Sequence, residues 1–316
     1  MKLQTTAGFF ILIALALVVY NCSGSEGQLL KFDREKEKIE LGKQLFFDKR
    51  LSSDNTISCA SCHIPGRAFS DGQSLGTGVK GRKTMRNVPG ILNVRFSKNL
   101  MSDAEITLLE RQILVPLLDH AEMNADMPVL FKRLRKDEQY VKAAKRIFNR
   151  PFDSYVLTRS IAAYERSLVA LNSRYDQYVK GDKNALTVNE ISGMKLFSEQ
   201  LYCTKCHVLP DFSSFKAENN GLYIDYGNDQ GRYRVTEKEE DKGKFKVPGL
   251  RNVGLTAPYM HDGSFQTLLE VIRHYESGGK SHPNKSIVIQ PFKLTSVEER
   301  NLVLFLESLT DTLVKR

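Results

Sequence analysis

Apolar side chains recur at three- and four-residue steps in five stretches of the chain, and each stretch reads as a helix. Between Arg34 and Phe47, the residues Ile39, Leu41, Leu45 and Phe46 make one apolar face. Ser154 to Tyr178 reads as a single helix through Val156, Leu157, Ile161, Leu168, Leu171, Tyr175 and Tyr178. Thr187 and Glu190 have the spacing of a capping box ahead of Ile191, Met194, Leu196 and Phe197. Thr267 to Glu270 opens a short helix that brings Val271 and Tyr275 onto one inward face. Thr295 and Glu298 cap a last helix bearing Leu302, Val303, Phe305, Leu306 and Leu309. Strand signals are few, so the predicted fold class is mainly α.

The pattern repeats. Val88-Pro89-Gly90-Ile91-Leu92-Asn93-Val94 returns as Val247-Pro248-Gly249-Leu250-Arg251-Asn252-Val253. Eight residues past each Asn stands Met-x-Asp, at Met101 to Asp103 and Met260 to Asp262. Thr107-Leu108-Leu109-Glu110 then matches Thr267-Leu268-Leu269-Glu270, giving 11 identities over 23 positions. Leu45-Phe46 and Leu196-Phe197 close matching helices ahead of Cys59 and Cys203. Order and spacing kept together imply an internal duplication. The turn cluster Gly181-Asp182-Lys183-Asn184 sets the boundary. The expected units are 34–183 and 184–316, with the last helix packing back on the first, and the charged run from Glu237 to Lys244 is a solvated loop.

Residues 1–22 read as a targeting segment: Lys2 precedes twelve apolar residues, Phe9 to Tyr20, too few to span a bilayer. Cys22 follows directly, the position of a lipidated cysteine, although Tyr20 and Asn21 are not the small residues usual there. Residues 23–33 form a tether. Export to the periplasm, with membrane contact only through a lipid on Cys22, is the expectation. The net charge is +9, or +8 without the leader's Lys2. This mild excess suits an acidic redox partner. No Arg/Lys stripe is interleaved with aromatics, so nucleic acid is not an expected partner. The chain has no Trp.

The chemistry lies in Cys59-Ala60-Ser61-Cys62-His63 and Cys203-Thr204-Lys205-Cys206-His207. Cys-x-x-Cys-His is the attachment signature of c-type haem. Two thiols on one helical turn add to the vinyl groups, and the His supplies an iron ligand. Paired Cys-x-x-Cys zinc sites usually lie about 15–20 residues apart. Here the two His are 144 residues apart (207 minus 63). Two covalent haems are therefore expected, on Cys59, Cys62, His63 and on Cys203, Cys206, His207.

With their flanks, above all Phe245 to Val253 and Thr256 to Gly263, these motifs resemble the bacterial di-haem cytochrome c peroxidase family and its MauG-like branch, from about Phe32 to Leu309. The resemblance implies two cytochrome-c-like haem domains, the first meeting hydrogen peroxide and the second taking electrons from a small donor, a cytochrome c or a cupredoxin. By position it implies that Gln112 and Glu122 are the catalytic pair beside the first haem. A carboxylate can move a proton between the peroxide oxygens, and an amide can donate to the charge that develops. It also implies calcium between the domains, held by the Asn87 side chain and the Thr256 and Pro258 carbonyls. A homodimer is one assembly left open.

Three departures from the family pattern stand out. Val79 occupies the position of a removable His ligand, which implies a first haem open on one side. Tyr275 stands where a Met usually binds the second haem, with His274 the neighbouring alternative. Ser102 replaces a bridging Trp. His120 is peripheral to this plan, His261 is expected near a haem propionate, and His282 lies in a loop. Peroxide reduction is the leading expectation. A MauG-like oxidase acting on a protein partner is the alternative that Tyr275 favours, and a non-catalytic electron carrier would need neither Gln112 nor Glu122.

Overall fold

A computed structural model gives the protein's structure and describes residues 32–311. The leader, Cys22 and most of the tether lie outside those residues. Helix α1 (residues 32–46) begins two residues ahead of Arg34. The first half continues with α2 (Cys59–Cys62), α3 (Leu109–Gln112), α4 (Leu114–Leu118), α5 (Met127–Leu134), α6 (Glu138–Phe148) and α7 (Ser154–Ser167). The chain continues with α8 (Arg174–Val179), α9 (Val188–Lys195), α10 (Tyr233–Thr236), α11 (Leu268–Glu276) and α12 (Ser296–Ser308). A two-residue ribbon, β1 (Ala217–Glu218) antiparallel to β2 (Phe245–Lys246), is the only sheet among the described residues. No described helix is long and apolar enough to cross a membrane.

Two cores result. In the first, Leu41, Leu45 and Phe46 of α1 pack with Val156, Leu157 and Ile161 of α7, and the helices between them add Leu117, Leu130 and Leu134. In the second, Phe197, Phe212 and Phe305 meet ring to ring beside Leu302 and Ile272. Each core hinges on a close helix crossing. A Cβ on Gly42 would run into the Ser160 carbonyl on α7, and a Cβ on Gly193 into the Asn301 carbonyl on α12. Both glycines sit three residues ahead of the repeated Leu-Phe pair. The expected caps form, with Thr187, Thr267 and Thr295 each accepting from the backbone N–H of the Glu three residues on.

The helix expected from Ser154 to Tyr178 is in fact two. Asn93 breaks it, donating its backbone N–H to the Leu168 carbonyl at 2.8 Å and exchanging side-chain bonds with the Ala170 backbone at 2.8 and 2.9 Å. Ser173 and Asp176 then form a capping box that starts α8. Its Tyr175 turns to the second core, against Phe212 and Phe305. Asn252 does the matching work after α12: its N–H donates to the Leu309 carbonyl at 3.1 Å and its side-chain oxygen accepts from Asp311 at 2.9 Å. Both asparagines hold φ 63°, the left-handed region that Asn tolerates better than most residues.

The halves clasp reciprocally. The residue before each Val-Pro-Gly donates its backbone N–H to the middle residue of the other half's Met-x-Asp: Asn87 to the His261 carbonyl at 2.8 Å, Lys246 to the Ser102 carbonyl at 2.6 Å. An ion cluster locks this seam. Arg86 grips Asp229 with two bonds of 2.7 Å and reaches fully buried Asp103 at 3.1 Å, while Arg234 holds the same Asp103 oxygen at 2.6 and 3.0 Å. Bidentate geometry of this kind offsets much of the desolvation cost of buried charge.

Candidate active site

Each Cys-x-x-Cys-His motif forms a short turn to which the His donates its backbone N–H. The backbone N–H of His63 donates to the Cys59 carbonyl at 2.8 Å, and that of His207 to the Cys203 carbonyl at 2.9 Å. Nδ1 of His63 lies 2.9 Å from the Phe69 carbonyl, and Nδ1 of His207 lies 3.0 Å from that of Phe212. A carbonyl can only accept, so Nδ1 carries the proton in both rings and Nε2 keeps its lone pair for a metal. The Pro89 and Pro248 carbonyls also face these rings. The repeated Val-Pro-Gly therefore lies against the imidazole in both halves. Phe46 and Phe197 stand against the same two rings at 6.5 and 6.3 Å, so the Leu-Phe pairs serve the site as well. Burial pushes both imidazoles below their ordinary pKa and keeps them neutral.

Burial pushes the four thiols up, Cys62 to about 11 and Cys203 to about 12, and all four are free of disulfides. Among the described residues no three His, Cys, Asp or Glu side chains gather as a metal cluster. Two protonated thiols on one turn, followed by an imidazole with Nε2 open, fit covalent haem at both motifs.

Helix α3 ends at Gln112, and the loop after α4 carries Glu122. Desolvation first, and the Asp119 charge second, raise the Glu122 carboxyl to about 7. Glu122 lies near enough to Cys59 and Cys62 to raise both thiols electrostatically. Gln112 points its amide at the Met101 sulfur, 3.7 Å away. Val79 is fully buried and donates its N–H to the Glu122 carbonyl at 2.9 Å, so its loop lies against the same pocket. His120 is exposed, as expected of a peripheral residue.

At the second motif, α11 brings Tyr275 into the electrostatic reach of Cys203 and Cys206, and desolvation pushes its phenol up to about 12. His274 lies beside it, ring centroids 5.2 Å apart, and commits Nε2 to the Asn220 carbonyl at 3.0 Å. Asn220 also donates to the Met260 sulfur at 3.3 Å and hydrogen-bonds Tyr275. His261 stacks on Phe245, centroids 3.9 Å apart. His282 braces a loop, its Nδ1 accepting from the Asn284 N–H at 3.0 Å. Asn87 spends its NH2 on the Gln73 carbonyl at 2.7 Å, leaving the carboxamide oxygen as a hard donor at the seam. Gly90, three residues on, comes close to Thr256.

Two functional candidates escaped the sequence reading. Glu165 is buried on α7, and desolvation lifts its carboxyl to about 8 near Cys59. Its place one turn after Ile161 on the core-facing stripe was the available signal. Asn220 had none, because its importance comes from what the fold brings to it.

Comparison with known proteins agrees with this geometry. The family model for di-haem cytochrome c peroxidase matches residues 36–184. The chain is 37% identical to cytochrome-c peroxidase IdrP1 of Pseudomonas sp. (strain SCT), over 87% of this chain and 81% of that protein. It is 33% identical to the methylamine utilization protein MauG of Methylorubrum extorquens, over 86% and 78%. Among solved structures, a MauG-like protein associated with microbial copper homeostasis superimposes with a TM-score of 0.83 at 35% identity, covering 89% of this chain and 91% of that one. Membership of this group implies two haems and chemistry on peroxide. With both haem motifs, their imidazole-fixing loops and these relatives in agreement, the chain belongs to the di-haem cytochrome c peroxidase family and is an oxidoreductase acting on peroxide.

Proposed function

We propose that the protein reduces hydrogen peroxide to water with electrons from a small external donor, a cytochrome c or a cupredoxin. One observation carries this reading: a carboxyl with pKa near 7, Glu122, beside the cysteines of the first motif. His63 would hold the first haem and His207 the second, and when bound these groups supply the redox chemistry. Glu122 takes a proton from one peroxide oxygen and returns it to the other, and Gln112 donates a hydrogen bond to the charge left behind. Val79 has no donor atom for a metal, so it leaves peroxide access to the first haem open. Peroxide mixed with the fully oxidised protein tests this directly. An immediate optical response is expected, and a response only after partial reduction would reject the open site.

Tyr275 is proposed as a residue that would hold the second haem together with His207. The Nε2 of His274 is committed to the Asn220 carbonyl, which supports that choice. A phenolate donor favours oxidised iron, and this feature supports the MauG-like oxidase as a second reading. Calcium is proposed on Asn87, Thr256 and Pro258. The paired Asn clasps, the paired glycine crossings and the reciprocal seam support descent of the halves by duplication. Export to the periplasm, with Cys22 lipidated, completes the reading.

A further inference from the structure

The two motif histidines are braced alike but not identically. Nδ1 of His63 meets a carbonyl six residues on, at Phe69, and Nδ1 of His207 meets one five residues on, at Phe212. The longer first turn closes on itself: the Ile64 N–H donates to the Ser70 carbonyl at 3.2 Å and the Phe69 N–H to the Ile64 carbonyl at 3.0 Å. The second turn is closed by the Ser213 N–H on the Val208 carbonyl at 2.9 Å. Both phenylalanines hold left-handed backbone, φ 61° and 54°. A bulky residue keeps that conformation only where its surroundings hold it there.

Around Phe212 the hold comes from Arg251, which stands in the repeat where the first half has Leu92. Its Nε donates to the Pro210 carbonyl at 3.1 Å, inside the second turn. Its guanidinium lies over the Phe212 ring, 5.7 Å from the centroid. Its Nη1 donates to Asp176 Oδ2 at 2.8 Å, and the two side chains are only 7% and 10% exposed. Asp176 is itself fixed, because the same oxygen accepts from the Ser173 N–H and hydroxyl at 2.9 and 2.7 Å. Helix α8 also lays Tyr175 against Phe212, ring centroids 5.1 Å apart. A planar guanidinium fork orients what it grips, which the point charge of a lysine does not.

We propose that Arg251 is a positioning residue for the second haem. Anchored on Asp176, it clamps the turn from Pro210 to Phe212 and keeps the Phe212 carbonyl in line with Nδ1 of His207. A hydrogen bond held in this way fixes the ring's orientation and makes the imidazole a stronger donor. A stronger donor favours oxidised iron and lowers the second haem's potential. Leu92 has no polar atom with which to do the same for His63, so the clamp acts on one haem alone. The proposal rests on haem at the second motif and not on the reaction that follows.

The test compares haem-loaded wild type with Arg251→Leu/Asp176→Asn and with Arg251→Lys, reading the ferric electron paramagnetic resonance signal and the midpoint potential of each haem. The double variant carries the first half's leucine and leaves no unpaired carboxylate buried. A broadened signal and a raised potential are expected for the second haem, with the first haem unchanged. Arg251→Lys keeps the charge without the fork and should shift the same haem in the same direction by less. Unchanged second-haem signal and potential in the double variant, or equal shifts at both haems, overturn the proposal. So does an Arg251→Lys protein indistinguishable from wild type, which decides the matter even if the double variant does not fold. Wild-type protein without haem on Cys203 and Cys206 overturns the haem assignment itself.

Discussion

Replacing Glu122 with Gln removes the proton carrier and little else, because the amide keeps the shape of the carboxyl. Desolvation sets the carboxyl at about 7, so below that pH it is protonated and cannot take a proton from peroxide. The sign follows: activity is lost as pH falls. For a group with pKa about 7, the ionised fraction rises from roughly 9% at pH 6 to roughly 91% at pH 8, so the wild-type rate should climb about tenfold across that window. A positioned acid–base group contributes about 10²–10⁴-fold, and Glu122→Gln should lose that factor at pH 8. Below pH 6 the gap should narrow, and the variant's own profile should be flat. The assay is stopped-flow mixing of oxidised protein with peroxide, followed at the haem bands from pH 5.5 to 8.5, with Glu122→Asp as the conservative control. A wild-type rate independent of pH, or a Gln variant that keeps both its rate and its pH step, refutes the reasoning.

Gly193→Ala forces a Cβ into the Asn301 carbonyl and should destabilise the second core by about 1–3 kcal/mol or more in chemical denaturation. Gly66→Ala, with no atom within 4 Å of the added carbon, should be nearly neutral. Tyr275→Met should raise the second haem's potential, since a thioether replaces an anionic oxygen. An unchanged potentiometric titration and spectrum would leave Tyr275 as packing alone. Denatured Cys203→Ser/Cys206→Ser protein should retain one haem by mass, against two in the wild type, and two in the variant would exclude attachment at the second motif.

Short-range chemistry was legible in the sequence. The Cys-x-x-Cys-His motifs and the Thr/Glu capping boxes each act within a few residues, and all of them appear in the structure. What the Val-Pro-Gly repeats lie against was not legible, because the Pro89 and Pro248 carbonyls meet His63 and His207 only when the chain returns them there. The break after α7 stayed hidden for the same reason. Nothing around Leu168 stops a helix until Asn93, far back in the chain, takes its carbonyl. Pattern reading also treats a buried stripe as apolar, and so it passed over Glu165, whose carboxyl occupies that stripe. The glycines at the two crossings lay in plain view beside each Leu-Phe pair, but what they allow depends on a partner helix that the local pattern does not name.

The most direct measurement is steady-state turnover of the purified, haem-loaded protein with hydrogen peroxide and a reduced small cytochrome c or cupredoxin, counting donor oxidised against peroxide consumed. A peroxidase oxidises two one-electron donors for each peroxide reduced to water, and this ratio is the predicted result. Protein that carries both haems yet leaves the donors reduced, or that consumes peroxide with no stoichiometric donor oxidation, would contradict donor-driven peroxide reduction.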